Sequence, residues 1–142
     1  MSVKQVLTAE DLWTMPEVPG KRFELVDGEL VEMPGTSGIH GLIALAVAIL
    51  LRGYVRAHDL GFVWVDGTAF IIARDPDVVR VPDVAFVARN RVPAVDVRAG
   101  FVPFAPDLAV EIVSPNDRPG EVQTKIGEYL GAGSRAVWVI LP

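Results

Sequence analysis

The sequence contains no cysteine and only two histidines, His40 and His58. Disulfides, thiolate nucleophiles and cysteine-bound zinc are therefore excluded. A multi-histidine metal cage is excluded as well. Any metal must rest mainly on carboxylates, which select hard cations such as Mg²⁺ or Mn²⁺. Lysine is scarce, at three of 142 residues: Lys4, Lys21 and Lys125. Lysine and arginine together number 13 against 18 acids, a net charge of −5. The overall basic footprint of a tight duplex binder is therefore missing, although net charge does not speak against a local basic patch. No basic stretch followed by an apolar one opens the chain, so no secretory leader is expected. The longest apolar run, Gly41 to Leu51, falls short of the ~20 residues that span a bilayer. A cytoplasmic protein with no membrane partner is expected.

Apolar residues are abundant, at 51% of the chain, with a mean hydropathy of +0.37. A sheet covered on both faces accounts for this, because its strands read as continuous Val, Ile and Leu runs. A buried self-association surface adds to it, and a homodimer is expected. The length suits one domain over residues 1–142. Thr8 is placed to cap a short helix that ends before Pro16. Arg22 to Val26 and Glu29 to Met33 flank Asp27-Gly28, the pattern of a β-hairpin with a type I′ turn. Ile39 to His58 reads as one helix, apolar all round through Leu51 and therefore expected to be buried. Gly61 to Ala73 reads as a long strand, kinked or turned at Asp66-Gly67, and Arg74 to Asp77 as a turn. Strands are expected at Val81 to Ala88, Leu108 to Val113 and Arg135 to Leu141. A loop is expected at Asn90 to Pro106 and a helix at Arg118 to Leu130. This order predicts a mixed α/β fold with helices packed on a sheet. The last strand has nothing after it, so a truncated C-terminal end is expected.

Two carboxylates interrupt strands that otherwise read as buried. Asp83 sits in Val81-Pro82-Asp83-Val84-Ala85-Phe86-Val87, and Glu111 in Leu108-Ala109-Val110-Glu111-Ile112-Val113. A buried carboxylate must be paired, protonated or bound to metal. On adjacent strands the two acids stand about 5 Å apart, which favours a shared divalent cation. Taken singly, either acid has an ordinary reading as a turn cap or an arginine partner. Lys125 has two readings. It pairs with Glu121 one turn earlier on the surface, or its ammonium reaches around to the sheet from the boundary of an arc formed by Val122, Ile126, Tyr129 and Leu130. Glu24, in an alternating hairpin strand, and His40, at a helix start, carry weaker signals.

In order along the chain stand Arg22-Phe23-Glu24-Leu25-Val26-Asp27-Gly28-Glu29-Leu30, His40, Pro82-Asp83-Val84-Ala85-Phe86-Val87, Asp107-Leu108-Ala109-Val110-Glu111-Ile112-Val113-Ser114-Pro115, and Lys125 with Tyr129, Gly133 and Trp138. This series closely resembles the Uma family of restriction-endonuclease-like proteins, within the PD-(D/E)xK nuclease superfamily, from about Thr8 to Pro142. The resemblance implies an α/β, restriction-endonuclease-like mixed β-sheet flanked by helices, with an N-terminal β-hairpin and further strands beyond Pro142. It makes Asp83 the aspartate of the PD motif and Glu111 the second acid. The superfamily's lysine, two residues after that acid, is Val113 here, and Lys125 matches a lysine that the family carries on the following helix. Glu24 and His40 match positions that face the same pocket. The function implied is Mg²⁺- or Mn²⁺-dependent cleavage of nucleic acid, DNA ahead of RNA, with metal on Asp83 and Glu111. A module that keeps the fold and binds a partner or nucleic acid without catalysis is the competing reading, favoured by the acidic balance and by Val113.

Overall fold

The computed structural model describes residues 4–142. The first helix, α1 (Ala9–Thr14), is opened by the expected cap. Thr8 Oγ1 accepts from the Asp11 amide at 3.1 Å, and Asp11 Oδ2 accepts from the Thr8 amide at 2.8 Å. This reciprocal pair satisfies two amides that would otherwise be unpaired. Strands β1 (Phe23–Val26) and β2 (Glu29–Glu32) form the hairpin. Its turn residues Asp27 and Gly28 both have positive φ, 49° and 75°, as a type I′ turn requires.

A long helix, α2 (Gly38–Ala57), follows. The expected single strand after it is two strands, β3 (Gly61–Val65) and β4 (Phe70–Ala73), which lie in different sheets. The turn at Asp66-Gly67 carries the chain from one sheet to the other. Next come β5 (Val78–Arg80), β6 (Val84–Ala88) and a 3₁₀ helix (Arg89–Ala94) inside the expected loop. The chain continues through β7 (Leu108–Ile112), α3 (Pro119–Gly131) and β8 (Ala136–Ile140).

The strands form two four-stranded sheets rather than one, ordered β2-β1-β5-β4 and β3-β6-β7-β8. The first is antiparallel, and the second is mixed because β7 and β8 run parallel. Side chains of β6 alternate as pleating demands. Val84 and Phe86 pack toward α2, while Ala85 and Val87 join Phe70, Val78 and Tyr129 on the opposite face. Covered on both faces, the second sheet explains the continuous apolar strands. Pro82 is fully buried in the crossing from β5 to β6. There the backbone leaves the first sheet and enters the second.

Two expectations about burial need correction. Only His40, Ala48 and Val55 of α2 are buried. Ile39, Leu42, Leu45, Ile49, Leu50 and Tyr54 are each more than half exposed. Composition reports that side chains are apolar, and the second sheet offers α2 only one surface to cover them. By length and apolarity alone α2 is sufficient to cross a bilayer. It is nonetheless built into the fold through Ala48, which packs with Val84, Leu108 and Val110. In α3, Leu130 is 49% exposed rather than buried, because the core-facing arc ends at Tyr129.

Candidate active site

The seam between the two sheets gathers all five residues singled out from the sequence. In the antiparallel ladder Val84 faces Val110 and Ala85 faces Ala109. Asp83 and Glu111 are the next residues outward, where the regular ladder has ended. The Asp83 amide donates to the Val110 carbonyl at 3.0 Å, and Asp83 Oδ2 accepts from the Ile112 amide at 2.7 Å. The aspartate is thus locked onto its neighbouring strand. His40, in the first turn of α2, places Nε2 3.1 Å from Asp83 Oδ1.

Glu111 is held by α3. The Tyr129 hydroxyl donates to Glu111 Oε1 at 2.9 Å, and Lys125 Nζ lies 3.5 Å from Oε2. Lys125, Glu128 and Tyr129 recur at i, i+3 and i+4, so they share one side of the helix. That side faces the seam. Lys125 also lies 3.7 Å from Glu24 Oε1, and no ion pair to Glu121 forms among the described residues. The reading in which the ammonium reaches the sheet is the one the geometry shows.

Glu24 belongs to the other sheet. Leu25 pairs with Val79, which sets Glu24 opposite Arg80. Arg80 NH1 donates to Glu24 Oε2 at 2.9 Å, and the Val81 amide donates to Oε1 at 3.0 Å. Arg80 also grips Glu128 with Nε and NH2, at 2.6 and 3.0 Å. This bidentate fork staples α3 to the first sheet. Arg80 and Glu128 were not anticipated. A signal was present, since Arg80 interrupts the apolar run Val78-Val79-Arg80-Val81 as Asp83 and Glu111 interrupt theirs.

The electrostatics follow from crowding acids in a dry seam. Burial, aided by repulsion from Asp83 and Glu24 and opposed by Lys125 and Tyr129, leaves the Glu111 carboxyl pushed up to about 7. Burial likewise raises Asp83, against the Ile112 amide and His40. Burial alone would depress Lys125, but Glu111 and Glu24 outweigh it and hold the ammonium charged. Burial drives the Tyr129 hydroxyl well above its ordinary range, so it remains a donor. Both acids are pushed upward chiefly by burial, a cost that a bound cation would offset. The cluster's oxygen donors suit a hard divalent cation. No group of three or more such side chains converges to hold an ion among the described residues. Asp83 and Glu111 would therefore supply only part of a coordination shell, leaving places for water and phosphate, as Mg²⁺ commonly requires.

A cleft of about 90 Å³ opens onto Glu24, Arg80, Glu111 and Lys125. A larger cleft, about 530 Å³, lies between the α1 segment and the hairpin, and none of the five residues lines it. The smaller opening is lined by three of the five, Glu24, Glu111 and Lys125, while Asp83 and His40 lie outside its lining.

The sequence pattern of the Uma2 family, described as "Putative restriction endonuclease", matches residues 9–142. The chain belongs to the Uma2 family. Its fold is similar to that of a protein from Anabaena variabilis, described as a putative nuclease belonging to DUF820. The two are 22% identical with a TM-score of 0.81, over 96% of this chain and 74% of the other. No curated protein matches the chain in sequence. Family and fold therefore agree with the restriction-endonuclease-like architecture read from the Uma motifs, and membership of the family supports a nuclease-like function.

Proposed function

We propose that the chain is a metal-dependent nuclease, with Asp83 and Glu111 as the metal-holding acids and Lys125 as the catalytic cation. The observation that carries this reading is the convergence of two buried carboxylates and a partly buried lysine at the seam of two sheets. Bound there, Mg²⁺ or Mn²⁺ would polarise the scissile phosphate and lower the pKa of an attacking water. Tyr129 takes one oxygen of Glu111 and leaves the other turned toward Lys125 and the cleft. The Ile112 amide and His40 fix Asp83 in the same way. Lys125, held charged by its acidic neighbours, is a poor base. Its ammonium instead stabilises negative charge developing on the phosphate oxygens, in a water-poor site where such an interaction is strong. Glu24 anchors Lys125 from the other sheet.

The substrate we propose is nucleic acid, DNA ahead of RNA, with a cytoplasmic location and a second copy of the chain as partner. The exposed apolar face of α2 supports the pairing. Its six large side chains offer a patch on the order of the ~800 Å² that each partner covers in a stable dimer. Two such faces meet about a two-fold axis.

The test is cleavage of single- and double-stranded DNA and of RNA, with Mg²⁺, with Mn²⁺ and with chelator. Wild type should cut only with metal, and Asp83→Asn should be inactive while remaining folded by its melting profile. Absence of cleavage on every substrate would favour the non-catalytic module, and cleavage that survives Asp83→Asn would take Asp83 out of the site.

A further inference from the structure

A second cleft, about 270 Å³, lies at the far end of α2 and collects three arginines in an acidic protein: Arg52, Arg56 and Arg89. Arg52 and Arg56 are one helical turn apart and share a side of α2. Both are exposed. Neither forms an ion pair among the described residues. A helix C-terminus favours cations, which accounts for Arg56 but not for Arg89, which arrives from the opposite wall.

That wall is built closely. Gly61, with φ +151°, approaches β6 so tightly that a Cβ there would stand 2.1 Å from the Val87 carbonyl oxygen. The Arg89 amide donates to the Leu60 carbonyl at 2.9 Å. The start of the 3₁₀ helix is thereby pinned beside the end of α2. Arg89 pairs with the exposed Asp59, so one acid faces three guanidiniums. Phe62, half exposed, forms an apolar side of the same cleft. Guanidinium groups match phosphate oxygens in bidentate geometry, and a concave arrangement with a surplus of positive charge is an anion site.

From His40, beside Asp83, to Arg56 the helix rises about 24 Å at ~1.5 Å per residue. That is about seven nucleotides along one strand of duplex DNA, at ~3.4 Å each. We propose that this cleft grips a backbone phosphate of the same nucleic acid whose scissile bond lies at the acid pair. The inference rests on the nuclease reading for its substrate class. It assigns Arg52, Arg56 and Arg89 to positioning rather than chemistry.

The experiment measures binding of a fluorescent ~20-base-pair duplex, and of a hairpin with a ~5-pair stem, in Ca²⁺ to suppress turnover. Proteins are wild type, Arg52→Gln/Arg56→Gln and Arg89→Gln, with cleavage in Mg²⁺ read in parallel. The variants should bind the long duplex about tenfold more weakly, as expected for a lost charged hydrogen bond. The dependence of affinity on salt should flatten by ~0.9 per phosphate contact removed. The short hairpin, unable to span both sites, should bind all proteins alike, and any loss of cleavage on the long duplex should fall on KM rather than on kcat. Unchanged affinity and salt slope on the long duplex would overturn the inference alone. Arginine-dependent binding with no cleavage would overturn the nuclease reading alone. If inorganic phosphate stabilises wild type but not the variants while duplex binding is equal, the cleft takes small anions and the inference fails.

Discussion

Replacing Glu111 by glutamine isolates the electrostatic cost of the proposed site. In the folded protein this carboxyl is pushed from 4.5 to about 7. A rise of that size amounts to roughly 3 kcal/mol, at ~1.4 kcal/mol per pKa unit. Its sign follows from proton counting. Between pH 4.5 and 7 the folded state binds the proton more tightly than the unfolded chain does. The stability tied to Glu111 is therefore fully present below pH 4.5, falls as pH rises through 7, and stays low above it. Glutamine keeps the shape and an acceptor for the Tyr129 hydroxyl but never ionises. It also deprives Lys125 of one carboxylate, so the gain should be less than the full amount, about 1–2 kcal/mol at pH 8. For a chain of this size that is a rise in Tm of about 3–7 °C. At pH 5, where most of that stability is retained, the two proteins should differ by less than about 1 kcal/mol. Adding Mg²⁺ or Mn²⁺ at pH 8 should raise the wild-type Tm and leave Glu111→Gln unmoved, because only a native state that binds the ion is stabilised. Scanning calorimetry from pH 5 to 8, with and without metal, measures all of this. A variant no more stable than wild type at pH 8 would refute the claim that Glu111 carries a burial penalty.

Lys125→Ala should leave the fold intact and remove most cleavage, about 10²-fold or more, as loss of a positioned transition-state donor does. Lys125→Arg should restore little, because its broad planar head must fit a cleft of about 90 Å³. Rates on plasmid DNA check both, and full activity in Lys125→Ala would return the residue to a structural role. Arg80→Met leaves Glu24 and Glu128 without their shared cation and should cost about 3–5 kcal/mol, the price of breaking a buried ion pair. Urea denaturation reads that loss, and a loss under 1 kcal/mol would contradict the stapling role. Leu42→Glu/Ile49→Glu places charge on the exposed face of α2. Light scattering should report a dimer for wild type and a monomer of undiminished stability for the variant, and a wild-type monomer at high concentration would remove the dimer.

Much of this architecture is legible in the sequence because particular residues have local reasons to be where they are. Thr8 and Asp11 announce a helix start, and Asp27-Gly28 announces a type I′ turn. Asp83 and Glu111 stand out because carboxylates are costly inside apolar strands. Other features depend on partners that local patterns do not name. Strand β5 is three residues long, too short for alternation to show, and it hides between a turn and a stronger strand. The split of Gly61 to Ala73 into two sheets turns on the geometry at Gly67, whose φ is +94°. The exposed side of α2 was unreadable because hydropathy does not reveal which surface remains uncovered. Lys125 stood open between two partners, and the tilt of α3 set by Arg80 and Glu128 turns it inward.

The central claim is that Asp83 and Glu111 together hold the ion on which cleavage depends. Anomalous scattering from a crystal soaked in Mn²⁺ tests it most directly. The account predicts a peak bridging the two carboxylates, with Lys125 close by, and no such peak in Asp83→Asn crystals. Manganese bound elsewhere, or an empty seam at millimolar Mn²⁺ in crystals of a protein that cuts DNA, would contradict it.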